Sequence, residues 1–268
     1  MNNIEILNVI DNFLKDIKMP ISYRNLILKK VYNKNLNNFL NEDNDILLLD
    51  NFIKNYDKTK PLIYNLGFDY FMNNEFIINE NVLIPRVETE FVVLKAIEKI
   101  KKNFIKNKKI SILDMCCGSG IIGITLFKYL KDYEVDLSFC DISKAALNVC
   151  EKNLKKHKIN AKLYESDCFA NIEIQNFDII IANPPYIDEN TVLDELVLKE
   201  PHIALFAKNN GYYIYEKLLK DIFKYNPKLI IFEIGDGQYQ YLNEKLPFKL
   251  YHDQFNRERC LVWENNEN

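Results

Sequence analysis

Apolar residues recur three and four positions apart in the N-terminal part of the chain: in "NIEILNVIDNFLKDI", in "ISYRNLILKKVY" after Pro20, and in "EDNDILLLDNFIKNYDK", which has Glu42 and Asp43 near its start. This spacing gives each segment one apolar stripe and predicts short amphipathic helices. No strand pattern interrupts them, so residues 1–65 are predicted to form a small helical domain. In "LGFDYFMNNEFIINENVLIPRVETE" two aromatic and aliphatic runs flank Asn73-Asn74, a dipeptide tolerant of positive φ. A linking β-hairpin is predicted there, over 66–87.

From Glu88 a helix is predicted through "ETEFVVLKAIEKIKKNF", and after it strand and helix patterns alternate. The strands are "KISILDM", "VDLSFCDI", "AKLYESD", "FDIIIAN", "KLIIFEI", "FKLYHDQF" and "RCLVWE"; the helices are "IIGITLFKYLK", "KAALNVCEKNLKKHK" and "GYYIYEKLLKDIFKY". Continuous apolar strands between helices indicate a sheet covered on both faces. The fold class expected for residues 88–268 is therefore α/β, doubly wound, with a mostly parallel seven-stranded sheet. Ligands of such sheets bind at the carboxyl ends of the strands. Asp114, Asp141, Asp167 and Asn183 each stand at or just after one of those ends.

Composition narrows the class of protein. The chain has 268 residues, 48% apolar and 27% charged, an ordinary globular balance with ample core. A net charge of −3 and a pI near 5.8 give no electrostatic reason to bind nucleic acid or an anionic membrane. The basic run from Lys101 to Lys109 is the kind that usually marks a solvated helix end and linker. No cationic, apolar leader opens the chain and no apolar run reaches the ~18 residues that span a bilayer. A soluble cytoplasmic protein is expected, or an organellar one if the source is eukaryotic. The six cysteines lack C-x-x-C spacing and only three histidines accompany them, so neither zinc nor a disulfide is expected.

The first chemical signal is "LDMCCGSG", a strand running into a glycine turn and a helix, where Gly118 and Gly120 allow a ligand close to the backbone. Asp141 ends the next strand, where a carboxylate can accept from the two hydroxyls of a ribose. That much serves NAD and S-adenosylmethionine alike. "SDCF" then puts Asp167 at the end of the third strand, where methyltransferases commonly place an acid for the adenine amino group. Each acid alone is as easily a helix cap or turn residue. Two at successive strand ends behind a glycine turn favour an adenosine-containing cofactor.

"NPPY", Asn183 to Tyr186, resembles the motif of methyltransferases that modify planar nitrogens, either an exocyclic base amine or a glutamine amide. Such a nitrogen is a poor nucleophile because its lone pair is delocalised. The Asn183 side-chain carbonyl and the Pro184 backbone carbonyl can each accept one N–H, align the nitrogen and favour the positive charge it develops. Pro184 and Pro185 stiffen the backbone and Tyr186 offers a face for stacking. No strong base is needed, since the methylated nitrogen turns acidic. These residues alone leave base and glutamine equally open as acceptors.

Several motifs together resemble the release factor glutamine methyltransferases: "VLIPRVETE", "LDMCCGSG", "DIS", "SDCF", "NPPYI", "EPHIAL", "EIGDGQ" and "DQFNRERCLVW". The resemblance runs from about Leu66 onward and implies a Rossmann-like class I methyltransferase. It further implies N5-methylation of the glutamine in the Gly-Gly-Gln motif of peptide chain release factors, with S-adenosylmethionine as cofactor and S-adenosylhomocysteine as product. Carried over, cofactor binding falls on Asp114, Cys116, Cys117, Gly118, Ser119, Gly120, Asp141, Asp167, Cys168 and Asn183. Catalysis falls on Asn183, Pro184 and Tyr186. Substrate binding falls on Asn183, Pro184, Pro185 and Tyr186, with Arg86 and Glu90 as further candidates that could equally be a charged helix start. The helical domain would then recognise the substrate, and a monomer acting without nucleic acid or membrane is expected.

Three departures stand out. Cys116 replaces the first glycine of the loop and must either sit at negative φ or accept strain, which is expected to weaken cofactor affinity rather than abolish function. Cys168 replaces a bulkier residue beside the adenine acid, and the hairpin lacks a second glycine. A nucleic-acid N6-adenine or guanine-N2 methyltransferase is the competing reading, and a non-catalytic NAD-binding protein a more distant one.

Overall fold

The computed structural model describes residues 1–265; residues 266–268, the end of the expected catalytic domain, lie outside the described residues. The chain divides into two compact units, Met1–Asp69 and a larger one beginning at Tyr70.

The first unit is helical. Helix α1 (Asn3–Asp16) opens with a capping box in which the Glu5 N–H donates to Asn2 Oδ1 at 2.9 Å and the Asn2 N–H donates to Glu5 Oε2 at 2.7 Å. A 3₁₀ turn at Ile21–Tyr23 leads into α2 (Arg24–Tyr32), followed by α3 (Leu36–Asn41), α4 (Ile46–Lys54) and α5 (Leu62–Leu66). The cap of α4 is Asp45, whose carboxylate accepts from the Leu47 N–H, rather than Glu42 or Asp43. Ile6, Ile10, Leu14, Ile27, Leu28, Phe39 and Leu49 form the buried core of this unit. Helix α3 is absent from the apolar pattern because only Phe39 of its six residues is buried and asparagines fill most of the rest.

Strands β1 (Phe68–Phe71) and β2 (Asn74–Ile77) make the hairpin. The turn lies at Met72 and Asn73, with φ of 45° and 59°, one residue earlier than the expected Asn73-Asn74 pair. The Asn74 amide instead donates to the Met72 carbonyl at 2.8 Å, and the Glu90 carboxylate accepts from the Met72 N–H at 2.8 Å. The turn is one that Met72 can occupy because both of its backbone groups are satisfied by neighbouring side chains.

The larger unit continues with α6 (Val87–Asn103), β3 (Lys109–Met115), α7 (Ile121–Tyr129), β4 (Glu134–Asp141), α8 (Lys144–His157), β5 (Lys162–Glu165) and β6 (Ile179–Ala182). Then come β7 (Ile187–Asp188), α9 (His202–Leu205), β8 (Phe206–Ala207), α10 (Tyr213–Asp221), β9 (Leu229–Glu233), α11 (Tyr239–Lys245), β10 (Lys249–His252) and β11 (Glu258–Glu264). Seven strands form one sheet in the order β10-β11-β9-β6-β3-β4-β5, with β11 antiparallel to both neighbours, and β7 pairs with β8 apart from it. All four residues of β6 and all five of β9 are buried, which is why their sequences read as unbroken apolar runs.

The chain leaves β3 toward β4 and β5 on one side, and returns to β6 and β9 on the other. A crevice therefore opens at the carboxyl ends of β3 and β6. Met115 pairs with both Cys140 and Ala182, and Ala182 pairs with Phe232. The residues that follow these, Cys116, Asp141, Asn183 and Glu233, leave the sheet at one level around that crevice.

Gly211 fixes the segment after β6 from the outside. It sits at φ +84°, and a Cβ there would lie 2.1 Å from the Tyr186 carbonyl oxygen. Gly211→Ala is expected to lower stability by about 2 kcal/mol or more, from backbone strain and from displacement of that carbonyl. Urea denaturation measures this, and an unchanged midpoint would show that the loop yields without cost.

Candidate active site

The crevice at the strand ends holds a cavity whose apolar wall includes Ile84, Pro85, Ile122, Ile142, Ile203 and Ile214. Its polar lining comes from the turns after β3, β4, β5 and β6 and from Arg86 and Thr89 at the start of α6. After β3 the Cys117 N–H donates to the Cys140 carbonyl at 3.0 Å and the Gly120 N–H to the Cys117 carbonyl at 2.8 Å, folding the loop back over β4. Gly118 sits at φ +53° with nothing within 4 Å of where a Cβ would stand, leaving its backbone open to a ligand. The Ser119 carbonyl accepts from the Asn153 amide at 2.9 Å; the same side chain bonds both backbone groups of Ile77, tying loop, α8 and β2 together.

Asp141 Oδ2 accepts from the Gly118 N–H at 2.8 Å and Oδ1 from the Ser143 N–H at 2.8 Å. Burial raises its pKa above the usual carboxylate value, with these backbone N–H groups opposing. With the Ile142 N–H as a third backbone donor, the carboxylate still has acceptor capacity for a further donor. Asp167 lines the same cavity and its Oδ2 is ion-paired with Lys217 of α10.

Cys116 and Cys168 both adopt left-handed backbone, at φ +59° and +53°. Of the two outcomes open to Cys116, the structure takes the strained one, at a cost of about 1–2 kcal/mol. Burial pushes the Cys116 thiol well up and the Cys168 thiol to about 12, so both stay protonated and neither is a nucleophile.

Asn183 follows β6, and its Nδ2 donates to Thr89 Oγ1 of α6 at 3.3 Å. Among the described residues Asn183 Oδ1 accepts no hydrogen bond, and Asn183 lines the cavity together with Pro185. Arg86 also lines it, ion-paired with the buried Glu200, whose Oε2 accepts from the Ile84 N–H at 2.9 Å. The cavity thus brings together Arg86, Cys116, Cys117, Gly118, Ser119, Asp141, Asp167, Cys168, Asn183 and Pro185.

Five expected site residues lie outside that lining. Asp114 is fully buried and its Oδ2 accepts from the Gly123 N–H at 2.8 Å, so it anchors the start of α7 behind the loop. Gly120, at φ +79°, turns the chain into α7 against Cys150. Pro184 is buried. Tyr186 turns inward: its hydroxyl donates to Glu233 Oε1 and accepts from Arg259 Nη1, each at 3.4 Å. Glu90 serves the hairpin turn through Met72.

Three residues of the site went unread in the sequence: Thr89, Glu200 and Glu233. The available signal for Glu233 was a carboxylate closing the apolar run "LIIFE", the pattern already informative at Asp114 and Asp141. Burial raises Glu233 from 4.5 to about 7, against the opposing pull of the Thr89 hydroxyl and Arg259.

Fold, glycine turn, strand-end acids and the Asn-Pro-Pro-Tyr edge together define a Rossmann-like methyltransferase. Residues 95–210 match the methyltransferase small domain family. The fold is shared with the N-terminal domain of human METTL16 (TM-score 0.51, 16% identity, 77% of this chain and 81% of that one). A methyltransferase from Pyrococcus furiosus shares it too (TM-score 0.51, 14% identity, 70% and 87%). Sequence relatives are more specific. Release factor glutamine methyltransferase of Lactococcus lactis is 34% identical over 254 residues, 90% of this chain and 87% of the relative. That of Mycoplasma mycoides is 36% identical over 238 residues, 84% and 81%. That of Leptospira interrogans is 41% identical over 159 residues, a match spanning 57% of this chain and about half (54%) of the relative. The chain belongs to the release factor glutamine methyltransferase family.

The value of Glu233 carries a stability consequence. A carboxyl whose folded value, about 7, exceeds its unfolded 4.5 holds its proton more tightly in the native state. Its contribution to stability is full below about pH 4.5 and is lost as pH rises through about 7. Glu233→Gln is expected to make the fall in melting temperature between about pH 5 and 7 shallower, as read by scanning calorimetry. Equal slopes in the two proteins would show that Glu233 is solvated.

Proposed function

We propose that the chain transfers a methyl group from S-adenosylmethionine to N5 of the glutamine in the Gly-Gly-Gln motif of peptide chain release factors, leaving S-adenosylhomocysteine. The observation that carries this reading is Asn183, with Nδ2 engaged by Thr89 and Oδ1 left to accept at the cavity. The relatives in Mycoplasma mycoides and Lactococcus lactis are named release factor glutamine methyltransferases, which supports it.

The residues present fit the cofactor. The open backbone at Gly118 and the remaining lone pairs of Asp141 suit the amino-acid and ribose portions, and Asp167 keeps Oδ1 for an adenine amino group while Lys217 holds Oδ2. When bound, S-adenosylmethionine supplies an electrophilic methyl on a positively charged sulfur. Asn183 Oδ1 accepts one N–H of the glutamine amide and orients its nitrogen; the Pro184 carbonyl, on a buried residue just outside the cavity lining, is the acceptor assigned to the other N–H. They also stabilise the positive charge that nitrogen develops, after which it loses a proton to water without a dedicated base. Pro185 and the isoleucine wall exclude water from the methyl path. Tyr186, turned toward Glu233, supports the loop from behind.

The N-terminal helical domain recognises the release factor in this reading, and the protein acts as a cytoplasmic monomer. No helix among the described residues is long and apolar enough to cross a membrane. Nucleic acid is a poor alternative acceptor because the net charge is −3.

Asn183→Ala is expected to reduce turnover on a release factor by about a hundredfold or more, with S-adenosylmethionine affinity changed less than about threefold. A turnover assay beside calorimetry reads both quantities. Turnover equal to that of the parent enzyme sinks the assignment of Asn183.

A further inference from the structure

A side-chain amide is nearly the same shape end for end, and Asn183 is useful only one way round. With Oδ1 at the cavity it accepts an N–H; turned over, it presents two donors to a nitrogen that also carries only N–H groups. Its bonded partner, the Thr89 hydroxyl, both donates and accepts, so Thr89 alone cannot choose the orientation. The choice has to come from a group beyond it.

Glu233 is that group. Phe232 pairs with Ala182, so Glu233 and Asn183 leave adjacent strands side by side. Glu233 is 1% exposed, its Oε1 is met by the Tyr186 hydroxyl at 3.4 Å, and its Oε2 is buried with no hydrogen-bond partner. Thr89 Oγ1, 1% exposed and bonded to Asn183, forms no hydrogen bond with this carboxyl in the structure, yet its hydroxyl favours the carboxyl's charged form and Oε2 is left with an open acceptor position. An ionised carboxylate only accepts. Once the Thr89 proton is directed to Glu233, Thr89 Oγ1 has only lone pairs left for its other neighbour, and that neighbour must be Asn183 Nδ2.

We propose that Thr89 and Glu233 are positioning residues: ionised Glu233 accepts from the Thr89 hydroxyl, Thr89 Oγ1 accepts from Asn183 Nδ2, and Asn183 Oδ1 is thereby held toward the nitrogen to be methylated. The inference rests on the methyl-transfer role given to Asn183. It adds the two residues that set that side chain's polarity.

The relay reverses when Glu233 is protonated. A carboxylic acid can donate to Thr89, Thr89 can then donate to Asn183 Oδ1, and the amide loses its preference. Several charged or titratable groups face Glu233: Arg259 and Cys260 from β11, Glu88 from α6, Tyr186 from the loop after β6 and Tyr215 from α10. Arg259 is shared with Asp253, so it does not fully offset burial, and the carboxyl titrates at about 7. Activity is therefore expected to fall on the acid side of neutrality.

The test uses the full chain, S-adenosylmethionine and a release factor, with Thr89→Val, Thr89→Ser and Glu233→Gln beside the parent and Asn183→Ala. Expected are a loss in kcat of about tenfold or more for Thr89→Val, cofactor affinity within about threefold of the parent, and most of the rate restored in Thr89→Ser. The parent should show an acid limb in kcat near pH 7 that is absent from Glu233→Gln, whose lower rate is flat with pH. A purely packing role for Thr89 or Glu233 would not move that limb. Should Thr89→Val fail to fold, Thr89→Ser and the pH profile of Glu233→Gln still decide. Parent-like kcat in Thr89→Val, or the same acid limb in Glu233→Gln, overturns the proposal while an inactive Asn183→Ala leaves the methyl-transfer reading standing. A parent enzyme that does not methylate the release factor removes both.

Discussion

The backbone ladder joining β3, β6 and β9 is the constraint on which the rest depends. Its parallel register sets Met115, Ala182 and Phe232 side by side, so the next residue of each strand emerges at the same height. The glycine turn, the Asn183 amide and a buried carboxyl are thereby assembled from segments far apart in the chain. Slipping β6 by one residue would turn Asn183 to the opposite face and bring Pro184, now buried, to the cavity in its place. The three isoleucines and Ala182, all without solvent exposure, prevent that slip because any other register would expose apolar surface or bury the amide.

A second consequence of this architecture is electrostatic. Asp141 and Glu233 close apolar strands and Asp114 stands one residue before the end of another, and burial raises the pKa of each. Packing alone would not favour three acids in this position, since removing charge from water is costly. Two of them are stabilised by backbone N–H groups at helix or turn starts. Glu233 lacks that support, and burial raises it to about 7, where it can change charge within the physiological range.

Much of the catalytic unit was legible along the chain because its strands are buried on both faces. Apolar runs such as "DIIIAN" and "LIIFEI" can be only central strands, and polar residues that end them stand out. The helical elements that escaped notice are the short ones: α5 and α9 have five and four residues, too few to show a period, while α3 buries only Phe39 and α11 only Leu242. The hairpin turn moved one residue because Met72, an unlikely occupant of left-handed backbone, is held there by Asn74 and Glu90. At the site, local signals identified Asn183, Asp141 and the glycine turn. Thr89 could not be found that way, since its meaning comes from a contact 94 residues away. Tyr186 was read from local chemistry as a stacking face and Glu90 from the family resemblance as a further substrate candidate; Tyr186 meets Glu233 and Arg259, and Glu90 meets the Met72 N–H of the hairpin turn.

The central claim is that this edge accepts a glutamine amide rather than a base. One reaction decides it: the full chain, S-adenosylmethionine, a release factor, and DNA and RNA together in one tube, followed by mass spectrometry of the Gly-Gly-Gln peptide and of the nucleosides. One added methyl is expected on the side-chain amide of that glutamine and none on any nucleoside. An unmodified glutamine beside methylated adenine or guanine would contradict it.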